Sequence, residues 1–137
     1  MDAALPAVAE ELLQEIQRAF RETSQVSDDQ LLALRFVFGA PVVPALDLVD
    51  RQSVTRLVSP SGRMVYQVAG SSGKLYTCYS SCHFCSCPAF AFSVLRKRDS
   101  LVCKHLLAVY LSRAVGACQE QNISNQQLTA MLLPEEK

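Results

Sequence analysis

Six cysteines and two histidines are the residues of this 137-residue chain best suited to bind a metal, and four of those cysteines lie between positions 78 and 87. Two short pairs stand out, Cys85-Ser86-Cys87 and Cys103-Lys104-His105, with fifteen residues between them. A zinc ion takes four thiolate or imidazole donors in a tetrahedron, and two close pairs supply them with the least loss of chain freedom. In extended chain, residues two apart project to the same side, so Cys85 and Cys87 can grip one ion together. On a helix the same spacing turns by about 200° and aims the two side chains apart. Cys103 is therefore expected just before a helix, with His105 in its first turn, where the helix amides also favour a thiolate. Four donors leave no position for water, so the site reads as one structural Zn2+.

The membership of the set is not closed by spacing alone. Cys82 stands three residues before Cys85 in a common ligand spacing, so Cys82 or His83 in place of one member stays open. Cys78 falls in a strand-like run and Cys118 late in the expected long helix, and both read as packing residues. The competing account of all these residues is a set of buried inert thiols and a core imidazole. It does not explain why paired spacing and a helix-opening histidine coincide.

Elements on both sides must position these donors. Leu5, Val8, Leu12, Ile16 and Ala19 recur at three and four residues, which predicts an amphipathic helix from about residue 5 to 22. Ser27 with Gln30 is a capping box opening a second helix that ends at Gly39. Pro41 and Pro44 interrupt the pattern, and Ala45 to Asp50 fits one further helical turn. From Val54 the character changes to β-rich runs, Val54–Val58, Met64–Ala69 and Leu75–Tyr79, separated by Ser59-Pro60-Ser61-Gly62 and Gly70-Ser71-Ser72-Gly73. That pattern predicts a three-stranded antiparallel meander. Pro88 is suited to open a short helix through Ala91, Val94 and Leu95, followed by a charged loop at 96–100. A mostly buried helix then starts near Lys104, and Ser124 with Gln127 caps a last short one through Leu128, Met131 and Leu132.

Composition narrows the function classes. With 13 basic and 13 acidic side chains the formal charge is zero, so no global positive field drives binding to a phosphate backbone. Half the residues are apolar, high for a chain of this size, which suggests that some apolar surface meets a partner. The start, Met1-Asp2-Ala3-Ala4, has no basic run leading into an apolar stretch, and no segment is long enough to cross a bilayer. A soluble, intracellular protein with reduced thiols and no membrane contact is expected. Gly70-Ser71-Ser72-Gly73-Lys74 invites comparison with a phosphate-binding loop, but Val68 and Leu75 occupy the places where that loop needs Gly and Ser or Thr. With His105 committed to metal and no motif placing a nucleophile beside His83, the chain is not expected to be an enzyme.

The runs Cys85-Ser86-Cys87-Pro88-Ala89-Phe90 and Cys103-Lys104-His105-Leu106-Leu107-Ala108 resemble the SWIM-type zinc finger, whose pattern is C-x-C, a spacer and C-x-H. Chain length, the helical lead and Ala45 to Gln52 are in addition similar to the small SWIM subunits of Shu-type complexes. The resemblance implies a nuclear, non-catalytic adaptor. It would pair with a RecA-like recombinase paralogue ATPase, as an obligate or near-obligate heterodimer, to promote recombinase filament assembly in homologous-recombination DNA repair. DNA and the recombinase machinery would be met through the complex. The elements read above make an α+β fold of N-terminal helices (1–50), a small meander (51–84), the SWIM finger leading into a helix (85–115) and a tail with a short helix (116–137), expected as one compact unit from the chain length.

Two surfaces compete for the working contact. The stripe Leu5, Val8, Leu12 and Ile16 is a candidate partner face, against the alternative that it is plain core. Arg96, Lys97, Arg98 and Lys104 are a candidate for direct contact with single-stranded DNA, against the alternative of a solvated loop diluted by Asp99.

Overall fold

The computed structural model describes residues 5–70, 73–79, 84–87 and 101–132. Helix α1 (Ala7–Thr23) begins immediately after Pro6, whose fixed φ suits a helix start, and ends where Ser24 takes a left-handed conformation. Helix α2 (Asp28–Phe38) carries the expected capping box: Gln30 N–H donates to Ser27 Oγ at 3.2 Å, and Ser27 N–H to Gln30 Oε1 at 3.1 Å. Helix α3 (Val42–Asp50) begins three residues before the single turn expected from Ala45. Pro44 does not stop it, because in the first turn a missing N–H forfeits no intrahelical bond.

The three predicted strands form as expected, β1 (Val54–Val58), β2 (Met64–Ala69) and β3 (Leu75–Tyr79), paired antiparallel. The first hairpin closes with Gly62 N–H donating to the Ser59 carbonyl at 3.0 Å and Gly62 at φ +87°, a value that favours glycine. The meander is only the centre of a larger sheet, however. Strand β4 (Phe84–Cys85) extends it beyond β3, and β5 (Gln119–Asn122) lies parallel to β1 at the opposite edge, giving the order β4-β3-β2-β1-β5. The four residues of β5 are all exposed. With no buried side to impose alternation, nothing in its composition marked it as a strand.

Helix α4 (Lys104–Val115) lies across the middle of the molecule, packing most extensively on α3 and α1. Seven of its twelve residues are buried, because it meets helices on one side and the sheet on the other. Gly116, left-handed at φ +70°, ends the helix, so Cys118 lies beyond it and not late within it as expected. The main core joins Ile16, Leu34, Phe38, Leu106, Leu107 and Val109 to one face of the sheet, Val54, Tyr66, Val68, Cys78 and Cys85. Helix α5 (Asn125–Leu132), capped by Ser124 and Gln127 as expected, covers the other face by setting Leu128 against Leu57 and Val65. The opposite parity of Val54 and Leu57, and of Tyr66 and Val65, places these sets on opposite faces. Among the described residues no helix is long and apolar enough to cross a membrane. The short helix expected after Pro88, and the loop at 96–100, lie outside the described residues.

The stripe on α1 faces inward. Ile16 is fully buried and Leu5 and Leu12 pack against the core, whereas Val8 is 64% exposed. Ile16→Ala should lower the unfolding free energy of the zinc-loaded chain by about 2–5 kcal/mol, and Val8→Ala should change it by less than about 0.5 kcal/mol. Urea titrations of the two variants provide the comparison, and equal effects would mean that α1 does not pack by this face.

Candidate metal centre

The centre is assembled from a strand end and a helix start. Cys85 sits opposite Cys78 in the β3–β4 ladder, and the ladder is continued by Ser86, whose N–H donates to the Thr77 carbonyl at 3.0 Å. Thr77 N–H in return donates to Ser86 Oγ at 3.1 Å. Ser86 thus ties the extended segment to β3 from the side away from its neighbours, leaving Cys85 and Cys87 to project together. Across from them, Cys103 is the N-cap of α4 in extended conformation. Its sulfur accepts from Leu106 N–H at 3.4 Å, and His105 follows in the first helical turn. This is the division between extended and helical donors that the two spacings require.

The donor atoms of Cys85, Cys87, Cys103 and His105 all lie within 4.8 Å of one another, and the four residues are 1–4% exposed. A zinc–sulfur bond of about 2.3 Å sets the edge of a tetrahedron at about 3.8 Å, so slight contraction closes the set around one ion. The chemistry of the pocket fits a cation independently of the distances. Neither ring nitrogen of His105, though both are buried, has a hydrogen-bond partner, an arrangement that costs free energy unless a metal takes one lone pair. Three thiols crowd against that imidazole. The Cys103 thiol is pushed above its ordinary range, first by hydrogen bonding with Cys85 and Cys87 and then by burial. For Cys85, the hydrogen bond from Cys103 acts downward but is outweighed by Cys78, Cys87 and burial, so that its thiol is also raised. A divalent cation reverses this balance by stabilising the thiolates outright. The set fits one structural zinc ion, and among the described residues no other cluster has this character.

The neighbours of the four donors were less visible in sequence. Tyr76 on β3 lies against His105 with ring centroids 4.2 Å apart and planes 31° apart, which fixes the imidazole orientation. Gly70 makes room for that tyrosine, since a β-carbon there would stand 3.0 Å from Tyr76 Cε2. Strand alternation gave the only hint, by putting Tyr76 on the same face as Cys78. Cys78 is fully buried beside Cys85 and stands outside the four-donor group. Cys118 is partly buried, its thiol raised by desolvation and eased by Arg56 and Arg113.

Lys104 is half-buried at the start of α4, while Arg96, Lys97 and Arg98, and the alternative ligands Cys82 and His83, lie outside the described residues. Of the residues offered as a partner face, Ile16 is buried in the core, Leu5 and Leu12 are half-buried against it, and Val8 is exposed. The helical period identified the apolar side of α1 but not which body would cover it.

The SWIM zinc finger family model matches residues 76–114. Over its whole length the chain is 61% identical to zinc finger SWIM domain-containing protein 7 of Homo sapiens, covering 98% of that protein. The mouse protein of the same name is 61% identical over 97% of this chain and 88% of its own. A homolog from Dictyostelium discoideum is 38% identical over 69% of this chain and 62% of its own. No solved structure matches the chain.

Thiols raised above their ordinary value of about 8.5 are protonated at neutral pH, so zinc must displace protons from them. Affinity therefore rises with pH, by up to about three logarithmic units per pH unit for three thiols. Competition titrations against a chromophoric chelator at pH 6 and pH 8 should show this slope, and a flat profile would argue against thiolate ligation. Cys85→Ser and His105→Ala should each abolish zinc retention through dialysis, as read by elemental analysis.

Proposed function

The chain belongs to the zinc finger SWIM domain-containing protein 7 family, and from that premise we propose that it is the zinc-organised, non-catalytic adaptor subunit of a Shu-type complex. In this reading it works in the nucleus and pairs with a RecA-like recombinase paralogue. The pair promotes recombinase filament assembly during homologous-recombination DNA repair. The observation that carries the proposal is the reach of the similarity: it spans the helical layer, the sheet and the tail as well as the finger. A zinc finger shared alone would support metal binding and little else.

The site supports the adaptor half of the proposal. Four protein donors complete the coordination of one zinc and leave no open position for a reacting water, which is the arrangement of a structural centre. The residues of this chain then do mechanical work. Cys85 and Cys87 hold the end of the sheet, Cys103 and His105 hold the start of α4, and Tyr76 keeps the imidazole turned toward the thiols. Bound there, zinc supplies a crosslink between sheet and helix worth about 10 kcal/mol or more in small modules. A chain with zero formal charge is poorly suited to hold DNA by itself. Delivery of the recombinase to DNA is accordingly assigned to the complex.

Affinity purification of the full chain from cells, followed by metal analysis, tests the reading. The expected product contains a RecA-like ATPase paralogue in equal amount and one zinc per copy of this chain. Recovery of the zinc-loaded chain without any such ATPase would count against the pairing. The Cys85→Ser chain should lose zinc and paralogue together, and normal capture by a metal-free, folded variant would sink the claim that zinc organises the surface the partner binds.

A further inference from the structure

The inward stripe of α1 is consumed by the fold, yet the helical layer still exposes large apolar side chains elsewhere. Leu32 is 70% exposed and Phe36 91% exposed, both on α2. Four residues apart, they stand one above the other on the same side of the helix. The opposite side of α2 carries Leu34 and Phe38, which are buried in the core. The stability of α2 does not require the outer pair. Its N-terminus is closed by the Ser27–Gln30 box, and at its C-terminus Gly39 N–H donates to the Arg35 carbonyl at 2.9 Å. An aromatic side chain left this open on a helix that is already anchored and capped is available to a second surface.

Charge states what kind of surface that is. Although the chain is neutral overall, residues 1–55 carry nine acidic and four basic side chains, and residues 56–137 carry four and nine. The helical layer is therefore acidic. On α2 itself, Asp28 and Asp29 are exposed one turn before Leu32, with Arg35 beside the pair as the single basic residue of the helix. A phosphate backbone would be repelled by such a layer. A folded protein that offers an apolar pocket with lysine or arginine at its rim would be complementary both to the ridge and to its approach.

We propose that Leu32 and Phe36 of α2 form the docking ridge of this chain, inserting into an apolar, basic-rimmed pocket on a protein partner. The mode is a helix laid in a groove, with two anchors at i and i+4 and the aromatic side chain as the dominant one. Resting on the pairing proposed above, the owner of that pocket is the RecA-like subunit. The ridge is separate from the zinc donors, so zinc and the ridge contribute to capture in different ways: zinc by holding the fold, the ridge by direct contact.

The test is co-expression of the full chain with the RecA-like paralogue, with affinity, zinc content and thermal melting measured in parallel. The double variant Leu32→Ala, Phe36→Ala should keep its zinc and its melting temperature, because both side chains are exposed, and should bind the paralogue at least about thirtyfold more weakly. Leu75→Ala, an exposed apolar position on β3, should bind as the unmodified chain does. Asp28→Asn with Asp29→Asn should weaken binding a few-fold and flatten its dependence on salt. Capture by the unmodified chain that persists in the double variant overturns the ridge while leaving the pairing intact. An unmodified chain that captures no paralogue overturns the pairing and the ridge with it. Loss of self-association in the double variant, with paralogue capture unchanged, would assign the ridge to a second copy of this chain and also overturn the proposal.

Discussion

Everything in this molecule depends on one constraint: three buried thiols and a buried imidazole have to share a space less than 5 Å across. Without a cation the cluster is unfavourable, because mutual contact and burial disfavour the thiolates and the ring nitrogens have no partners. With a divalent ion the same crowding becomes a crosslink. The donors come from two different elements, the end of the sheet and the start of α4. The ion thereby fixes the angle at which the central helix meets the sheet.

That angle has consequences well beyond the centre. Helix α4 is the body on which α1 and α3 pack, so the helical layer is referred to the sheet through it. The layer in turn decides which side chains face outward. With Ile16 and Ala9 of α1 enclosed and Leu34 and Phe38 of α2 turned toward the core, Leu32 and Phe36 have no place inside. Which apolar side chains stay outside is thus a product of how the layer closes, and the closure is anchored at the metal centre.

Local chemistry was read from sequence more readily than burial. The two donor spacings carried their own geometry, since two residues apart means one side of an extended chain and nearly opposite sides of a helix. Capping residues were similarly self-contained, and both Ser27 with Gln30 and Ser124 with Gln127 close helices as their spacing implied. Features that depend on distant neighbours were not legible. Strand β5 is held by backbone pairing with β1 and by the Arg56–Glu120 contact at 3.4 Å, and its exposed Gln-Glu-Gln-Asn run carries no alternation. The packing of Tyr76 on His105 joins residues that no periodicity connects. The apolar stripe of α1 indicated a buried side without indicating that α4 and the core would take up Ile16 while Val8 stayed exposed.

The central claim is that zinc holds the end of the sheet against the start of α4. Hydrogen exchange of the full chain, with zinc and after its removal by a chelator, addresses this most directly. The account predicts that removal strips protection from the amide of Ser86, which bonds to Thr77, and from those of Leu106 and Leu107, which bond to Cys103. Protection at those three amides that is the same with and without the metal would contradict it.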